Sequence, residues 1–289
     1  GVMCRRLTVG GAELTTLNLA GALVPPDFDL VGIFAQDETH DPQMVRRAKT
    51  LAPVHFGLEA AAAAARQMDI LICSNCADLP EERPAQVVYI AHGANSWAQN
   101  QVRRYDGLPG IRAVGISQYS TTAFTNGTPT TVIYNGADPA RVMTASSRQE
   151  ARERLGVPQD AVVLGYVGRI AASKRPFMAA SVAAYLGGPY TAMCVGPPCP
   201  YDPVKAPDAA ICVPGMEDVS TAYRAMDVFV LGSESEGFCL SMIESWLAGV
   251  PFVTQPIGAL PELQAQHGDL VSLVPSGGDI AEYADAVER

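Results

Sequence analysis

Short β-branched runs alternate with helical patterns along this 289-residue chain, and no other feature constrains its fold as strongly. Leu30–Phe34, Ile70–Cys73, Val87–Ala91 and Ala113–Ile116 read as strands of a first half. Helical stretches at Pro42–Leu51, Glu59–Met68 and Thr121–Asn126 fall between or after them. Near-continuous apolar strands separated by helices imply parallel sheets covered on both faces. "TTVIYNGAD" (Thr130–Asp138) then ends a strand on an Asn-Gly turn, and the pattern restarts. Strands are expected at Val162–Val167, Thr191–Val195, Ala209–Val213, Asp227–Leu231, Pro251–Gln255 and Leu270–Val274. Helices are expected at Gln149–Leu155, Phe177–Leu186, Val219–Met226 and Leu240–Ala248.

The expected class is therefore α/β, with two Rossmann-like doubly wound domains, residues 1–138 and 139–289. Ligands of such sheets sit outside the carboxyl ends of the strands, so a cleft between the halves is the expected site. Both ends read as incomplete. "GVMCRRLTVGGAE" offers a glycine turn before a helix, so the first domain is expected to lack its first strand. The chain stops in "IAEYADAVER", so the second is expected to lack its last helices.

With 48% hydrophobic and 17% charged residues the chain can bury sizeable cores. Its net charge of −10 argues against a broad nucleic-acid surface, and equally against docking on an anionic membrane. No apolar run reaches the ~18–20 residues of a membrane span, and no basic-then-apolar start reads as a signal peptide. Seven scattered cysteines, an odd number, read as reduced thiols in a cytoplasm. Cys73-Ser-Asn-Cys76 has the spacing of a redox or zinc pair, but no second pair supplies the other zinc ligands. Two small residues closing a strand account for it more simply. Asn126-Gly-Thr128 fits a glycosylation pattern and reads as a turn.

Two stretches carry the chemistry of the second half. In "DVFVLGSESEGFCLSMIESWLAGVP" a strand ends in small polar residues before a helix starts near Cys239. Free N–H groups at a helix start favour an anion. Glu236 stands beside that mouth and Glu244 lies in the helix, so the two carboxylates can take hydroxyls on either side of a phosphate. In "VVLGYVGRIAASKRP" a strand runs into Gly168-Arg169, with Lys174 and Arg175 following. Cations at a strand's carboxyl end suit an anionic ligand, Arg as a fork and Lys as a point charge. In the first half, Gly10 and Gly11 open a helix and let backbone approach a phosphate, and His92 stands at a strand's carboxyl end.

Together these stretches resemble the retaining glycosyltransferases of the GT-B fold, family 4. Ser233-Glu-Ser-Glu-Gly-Phe-Cys-Leu through Glu244 to "AGVPFV" is similar to that family's S-x-x-E-G-F-G-L, second Glu and A-x-G-x-P-V-V. "GRIAASK" is similar to its phosphate clamp, "YNGAD" to its interdomain turn, "GGAE" to its glycine loop and "IGALPEL" to its GGxPEL. Cys239 stands where the family has a Gly; mainly backbone N–H groups matter there, so tolerance is expected.

The resemblance implies two domains facing across a cleft, and sugar transfer from a nucleoside-diphosphate-sugar to an acceptor hydroxyl with retention and without a metal. It assigns the leaving diphosphate to Arg169, Lys174 and the N–H groups of Cys239 and Leu240, and the ribose hydroxyls to Glu244. Glu236, Gly237 and Phe238 take the transferred sugar, Gly10 and Gly11 close over the phosphates, and His92 sits beside the reacting carbon. No cofactor is implied. The chain's one Asp-x-Asp, Asp27-Phe-Asp29, precedes a strand at its amino end and reads as a loop rather than a Mn²⁺ site. A nucleotide-sugar-binding protein without turnover, or an epimerase or phosphorylase of the same fold, is the alternative.

Overall fold

Val162–Val167 is apolar at almost every position, and it folds as a strand with side chains buried on both faces. That is the outcome expected where helices cover a parallel sheet on each side. The computed structural model describes residues 1–76, 78–199, 202–216, 218–268 and 272–289. The chain folds as two units, Gly1–Asn135 and Gly136–Arg289, against an expected boundary at Asp138.

In chain order the first unit contains β1 (Val2–Cys4), α1 (Gly11–Ala22), β2 (Ile33–Ala35), α2 (Pro42–Lys49), β3 (Val54–Phe56) and α3 (Leu58–Ala64). It continues with β4 (Ile70–Ser74), β5 (Gln86–Ala91), α4 (Ser96–Val102), β6 (Ile111–Gly115), α5 (Gln118–Thr121) and β7 (Thr130–Val132). The strands pair in the order β3-β2-β1-β4-β5-β6-β7, every pair parallel.

The expectation that the first strand is missing is corrected. β1 is present and central, with Val2, Met3 and Cys4 paired to both β2 and β4 and all three side chains buried. Arg5 and Arg6 follow Val2–Cys4 at once and cut short the apolar run that would mark a strand. α5 lies earlier than Thr121–Asn126 because Ser117 and Ser120 cap its start reciprocally, ending the strand there. Asn126 and Thr128 sit instead in a turn held by Asp106, whose carboxylate accepts from Asn126 N at 2.8 Å and from Thr128 Oγ1 at 2.7 Å. Cys73 and Cys76 are buried in the core beside Tyr89 and Leu71, as strand-closing residues should be.

The second unit contains α6 (Arg148–Leu155), β8 (Val162–Val167), α7 (Met178–Leu186), β9 (Tyr190–Val195), β10 (Ala210–Val213) and α8 (Ser220–Ala225). Then follow β11 (Val228–Leu231), α9 (Leu240–Leu247), β12 (Phe252–Thr254), α10 (Leu260–His267), β13 (Ser272–Leu273) and α11 (Ile280–Glu288). Its strand order is β10-β9-β8-β11-β12-β13, again wholly parallel. Part of the expected strand Leu270–Val274 lies outside the described residues; β13 covers Ser272–Leu273 of it. A core of α7, α11 and the inner strands lies on one face, with Tyr283 buried and its hydroxyl donating to Leu231 O at 3.0 Å.

Each sheet reverses its winding once, between β1 and β4 in the first unit and between β8 and β11 in the second. Such switch points open a crevice at the carboxyl ends of the strands. Six of the seven cysteines are buried and only Cys212, on the edge strand β10, is exposed. Among the described residues no helix is long and apolar enough to cross a membrane.

Candidate functional site

β8 ends at Val167 and β11 at Leu231, so the residues after each emerge side by side at the second unit's switch point. From β8 come Gly168, Arg169 and then Lys174, at the end of the short 3-10 turn Ala172–Lys174. From β11 come Ser233 to Phe238. The two segments meet: Lys174 Nζ lies 2.8 Å from Glu236 Oε1, with the carboxylate only 14% exposed. Nζ also lies 3.4 Å from Ser235 O. The lysine that sequence reasoning assigned to a diphosphate and the glutamate it assigned to the neighbouring sugar are thus an ion pair in the protein itself. Arg169 is partly buried, and its carbonyl accepts the Tyr166 hydroxyl at 3.0 Å.

The loop carrying Glu236 and Gly237 is backed by the start of α10. Ala259 N donates to Gly237 O at 3.0 Å. At Gly258 (φ 55°) a Cβ would meet Glu236 O at 2.5 Å, so only glycine fits against this loop. That gives "IGALPEL" a physical role as the wall behind the recognition loop.

α9 begins directly after the loop, and its N-cap Cys239 makes no capping hydrogen bond to the helix N–H groups. A helix start without a side-chain cap leaves donors for an anion. Cys239 has φ 67°, the left-handed region that suits glycine, which is the physical reason a Gly belongs in this position. Its thiol is buried, 3.4 Å from Ser241 Oγ, and burial pushes its pKa up to about 12. It is not a nucleophile at neutral pH.

Glu244 is not a solvated charge. It is 5% exposed, with Oε1 accepting from Arg141 Nε at 2.8 Å and Oε2 from the Tyr223 hydroxyl at 2.8 Å. Burial, and then the Glu244 charge, push the Tyr223 phenol well up, so it stays a donor. Each carboxylate oxygen keeps a second lone pair for a ligand hydroxyl. Sequence reasoning missed Arg141 and Tyr223. The usable signal is that a carboxylate inside an apolar helix requires a cationic or hydroxyl partner. Arg141 lies 103 residues away, in the turn after "YNGAD" that the Asp138 side chain caps, so no periodicity reveals it.

In the first unit Gly10 caps α1 with an extended backbone and Gly11 is its first residue. A Cβ on Gly10 would meet only the movable Glu13 carboxylate, 2.3 Å away, so its backbone is accessible rather than strained. α1 leads to the buried Thr16, whose Oγ1 lies 2.6 Å from Ser74 Oγ at the end of β4. Ser74 Oγ in turn lies 2.8 Å from Nε2 of the half-buried His92, just past β5. Burial lowers the His92 pKa to about 4, so the ring is neutral at pH 7. Thr16 and Ser74 also escape sequence reasoning, since neither stands in a recognisable motif.

Asp27 and Asp29 are exposed on the loop before β2, at the amino end of that strand. Among the described residues no group of three or more His, Cys, Asp or Glu side chains could hold a metal ion.

Residues 161–289 match the family model of glycosyl transferases group 1. D-inositol 3-phosphate glycosyltransferase of Mycobacterium bovis, and that of Mycobacterium tuberculosis, is 29% identical over 181 residues, 54% of this chain. The match spans 37% of those relatives' own length. The structure of Anabaena HepE in complex with UDP and glucose superposes with a TM-score of 0.79 at 22% identity, covering 99% of this chain and 88% of HepE. WaaG, a glycosyltransferase involved in lipopolysaccharide biosynthesis, superposes with a TM-score of 0.72 at 13% identity, covering 99% and 89%. The fold is that of the GT-B glycosyltransferases.

Proposed function

We propose that the protein is a retaining, metal-independent glycosyltransferase that moves a sugar from a nucleoside-diphosphate-sugar to an acceptor hydroxyl. The observation that carries this reading is the meeting of Arg169, Lys174 and Glu236 with the uncapped start of α9 at one switch point. Cations and backbone donors there suit a diphosphate, and a carboxylate beside them suits sugar hydroxyls. The complexes of HepE with UDP and with UDP-glucose support a uridine nucleotide as donor.

In this mechanism Arg169, Lys174 and the N–H groups of Cys239 and Leu240 hold the diphosphate. They stabilise the charge that develops as the bond from the sugar's anomeric carbon to the phosphate oxygen breaks. Donor binding divides the Lys174–Glu236 pair, turning the lysine to phosphate and the carboxylate to the sugar. Glu244, fixed by Arg141 and Tyr223, presents its remaining lone pairs to the ribose. The acceptor hydroxyl attacks from the face the diphosphate leaves, and its proton passes to the departing phosphate oxygen. Fixed cations supply the neutralisation that a metal supplies elsewhere. The resemblance assigns His92 to the reacting carbon, and Gly10 and Gly11 to the phosphates. A cytoplasmic location fits this donor and the buried free thiols.

The test is release of UDP from UDP-glucose in the presence of EDTA, with and without a panel of hydroxyl acceptors. D-inositol 3-phosphate, named in the mycobacterial relatives, belongs in that panel. Acceptor-dependent release with an α-linked product supports the reading. Strict Mn²⁺ dependence removes the metal-free mechanism, and tight binding without release makes the protein a nucleotide-sugar binder.

A further inference from the structure

Beside the neutral Thr16–Ser74–His92 chain, the first unit carries a charged group on the β2 side of its sheet. The segments that follow β1 and β2 stay paired beyond the strands. Gln36 N donates to Cys4 O at 2.9 Å, Asp37 N to Arg5 O at 2.8 Å and Asp41 N to Leu7 O at 2.7 Å. This register sets one aspartate against two consecutive arginines. Arg6 Nε donates to Asp37 Oδ2 at 2.8 Å, and Arg5 Nε lies 3.4 Å from the same oxygen.

Two guanidinium groups thus share one carboxylate, and the trio keeps a charge of +1 in a chain of net charge −10. Asp78 does not cancel it. That carboxylate accepts from Gln36 Nε2 at 3.1 Å and is already paired with Arg104. Arg5 and Arg6 are only 31% and 34% exposed, and a half-compensated cation is costlier there than in open water. Each arginine spends Nε alone on Asp37. Among the described residues no hydrogen bond uses the terminal nitrogens of either, so both forks remain open to an anion.

An aromatic ring adjoins them. The Arg5 guanidinium carbon lies 5.7 Å from the centre of the Trp97 ring, a cation–π distance, and Trp97 is 41% exposed. Trp97 stands in the first turn of α4, five residues past His92. Its exposed surface is flat and apolar, and it suits the C–H face of a sugar ring.

We propose that Arg5, Arg6 and Trp97 form an acceptor subsite for an acidic saccharide, the guanidinium groups taking its carboxylate or phosphate and the indole its ring. A neutral sugar leaves the surplus charge unanswered, so the site prefers an acid. Naming the ligand an acceptor rests on the sugar-transfer reading; the preference for an acid stands without it.

Calorimetry with glucose, glucuronate, glucose 6-phosphate and inorganic phosphate tests the site, with UDP present to occupy the diphosphate site. At least one of the two sugar acids should bind about tenfold or more tighter than glucose, with a preference that shrinks as salt rises. The tighter of the two tells carboxylate from phosphate. Arg6→Gln should bring the sugar acids close to glucose, and Trp97→Ala should weaken them while sparing inorganic phosphate. Sugar acids that bind no better than glucose, or a preference unchanged in Arg6→Gln, overturn the site. Inorganic phosphate that binds as tightly as glucose 6-phosphate overturns the saccharide half.

With UDP-glucose as donor, the preferred acid should accelerate UDP release, and Arg6→Gln should abolish the acceleration. An acid that binds through Arg6 without accelerating release from bound UDP-glucose overturns the acceptor half. UDP-glucose that is neither bound nor cleaved overturns the donor reading together with the acceptor half, while the binding data still decide the site.

Discussion

The two units share one winding scheme and fill its crevice with opposite chemistry. Both sheets are wholly parallel and reverse once, and both bring functional side chains to the carboxyl ends of the strands at that reversal. In the second unit these side chains are charged and paired: Lys174 with Glu236, Arg141 with Glu244. In the first they are neutral and strung on hydroxyls: Thr16, Ser74 and His92. In each unit the sheet sets where a ligand can sit, and the loops set its chemistry. A crevice lined with cations suits an anionic group, and one lined with hydroxyls and a neutral ring suits a neutral one.

Six substitutions, in four experiments, break or sharpen that contrast. The largest effect belongs to the cations. Arg169→Ala or Lys174→Ala should lower kcat/KM on the order of 10²–10³-fold, the scale of losing one preorganised donor to a developing anion. Lys174→Ala should be the worse, because it also leaves Glu236 unpaired beside the phosphate. Kinetics with UDP-glucose check both, and near-wild-type values for the pair would put the diphosphate elsewhere.

Arg141→Ala comes next, in stability rather than turnover. Removing one partner of a buried pair costs roughly 3–5 kcal/mol, but Arg141 is 31% exposed, so about 2–3 kcal/mol is expected. Thermal unfolding of the variant should show that loss. An unchanged Tm would mean that Tyr223 alone satisfies Glu244.

Third, the two glutamates should divide the ligand. Losing a charged acceptor to a hydroxyl costs on the order of 1.5–3 kcal/mol. Glu244→Gln should impose that cost on binding of free UDP, while Glu236→Gln should spare UDP and damage transfer. Calorimetric titration of UDP into each variant, beside their kcat values, decides the matter. Equal weakening of UDP in both would show that the carboxylates share one end.

The smallest effect is expected at Cys239. A non-glycine residue held at positive φ carries roughly 1 kcal/mol of strain, so Cys239→Gly should raise stability by up to about that much. A fall in Tm instead would show that thiol packing outweighs the backbone.

Much of this is legible in the sequence, and the remainder has identifiable causes. β8 can be read to the residue, because an almost wholly apolar six-residue run between turns has one reading in an α/β chain. Lys174, Glu236 and Glu244 stand out because their spacing matches a recognisable pattern, and the start of α9 because small polar residues precede it. β1 and β3 escape because Arg5 and Arg6 follow Val2–Cys4 at once and a histidine sits at the centre of Val54–Phe56. α4 escapes because its first turns, Ser96 to Gln101, are mostly polar and its cap is Asn95. The partners Arg141, Tyr223, Thr16 and Ser74 cannot be read at all. A hydrogen bond across 58 or 103 residues leaves no local signature, and only the burial of the group it satisfies announces that it must exist.

The distribution of the cysteines turns the chain into its own clock. A thiol reagent meets one accessible sulfur in the native protein, Cys212, and the six others become reactive only when their surroundings open. Three of those six report from the first unit, Cys4, Cys73 and Cys76, and three from the second, Cys194, Cys199 and Cys239. Mass spectrometry of which sulfurs are modified, and after what delay, thus records whether the halves loosen together or in succession, with no probe added and no residue changed.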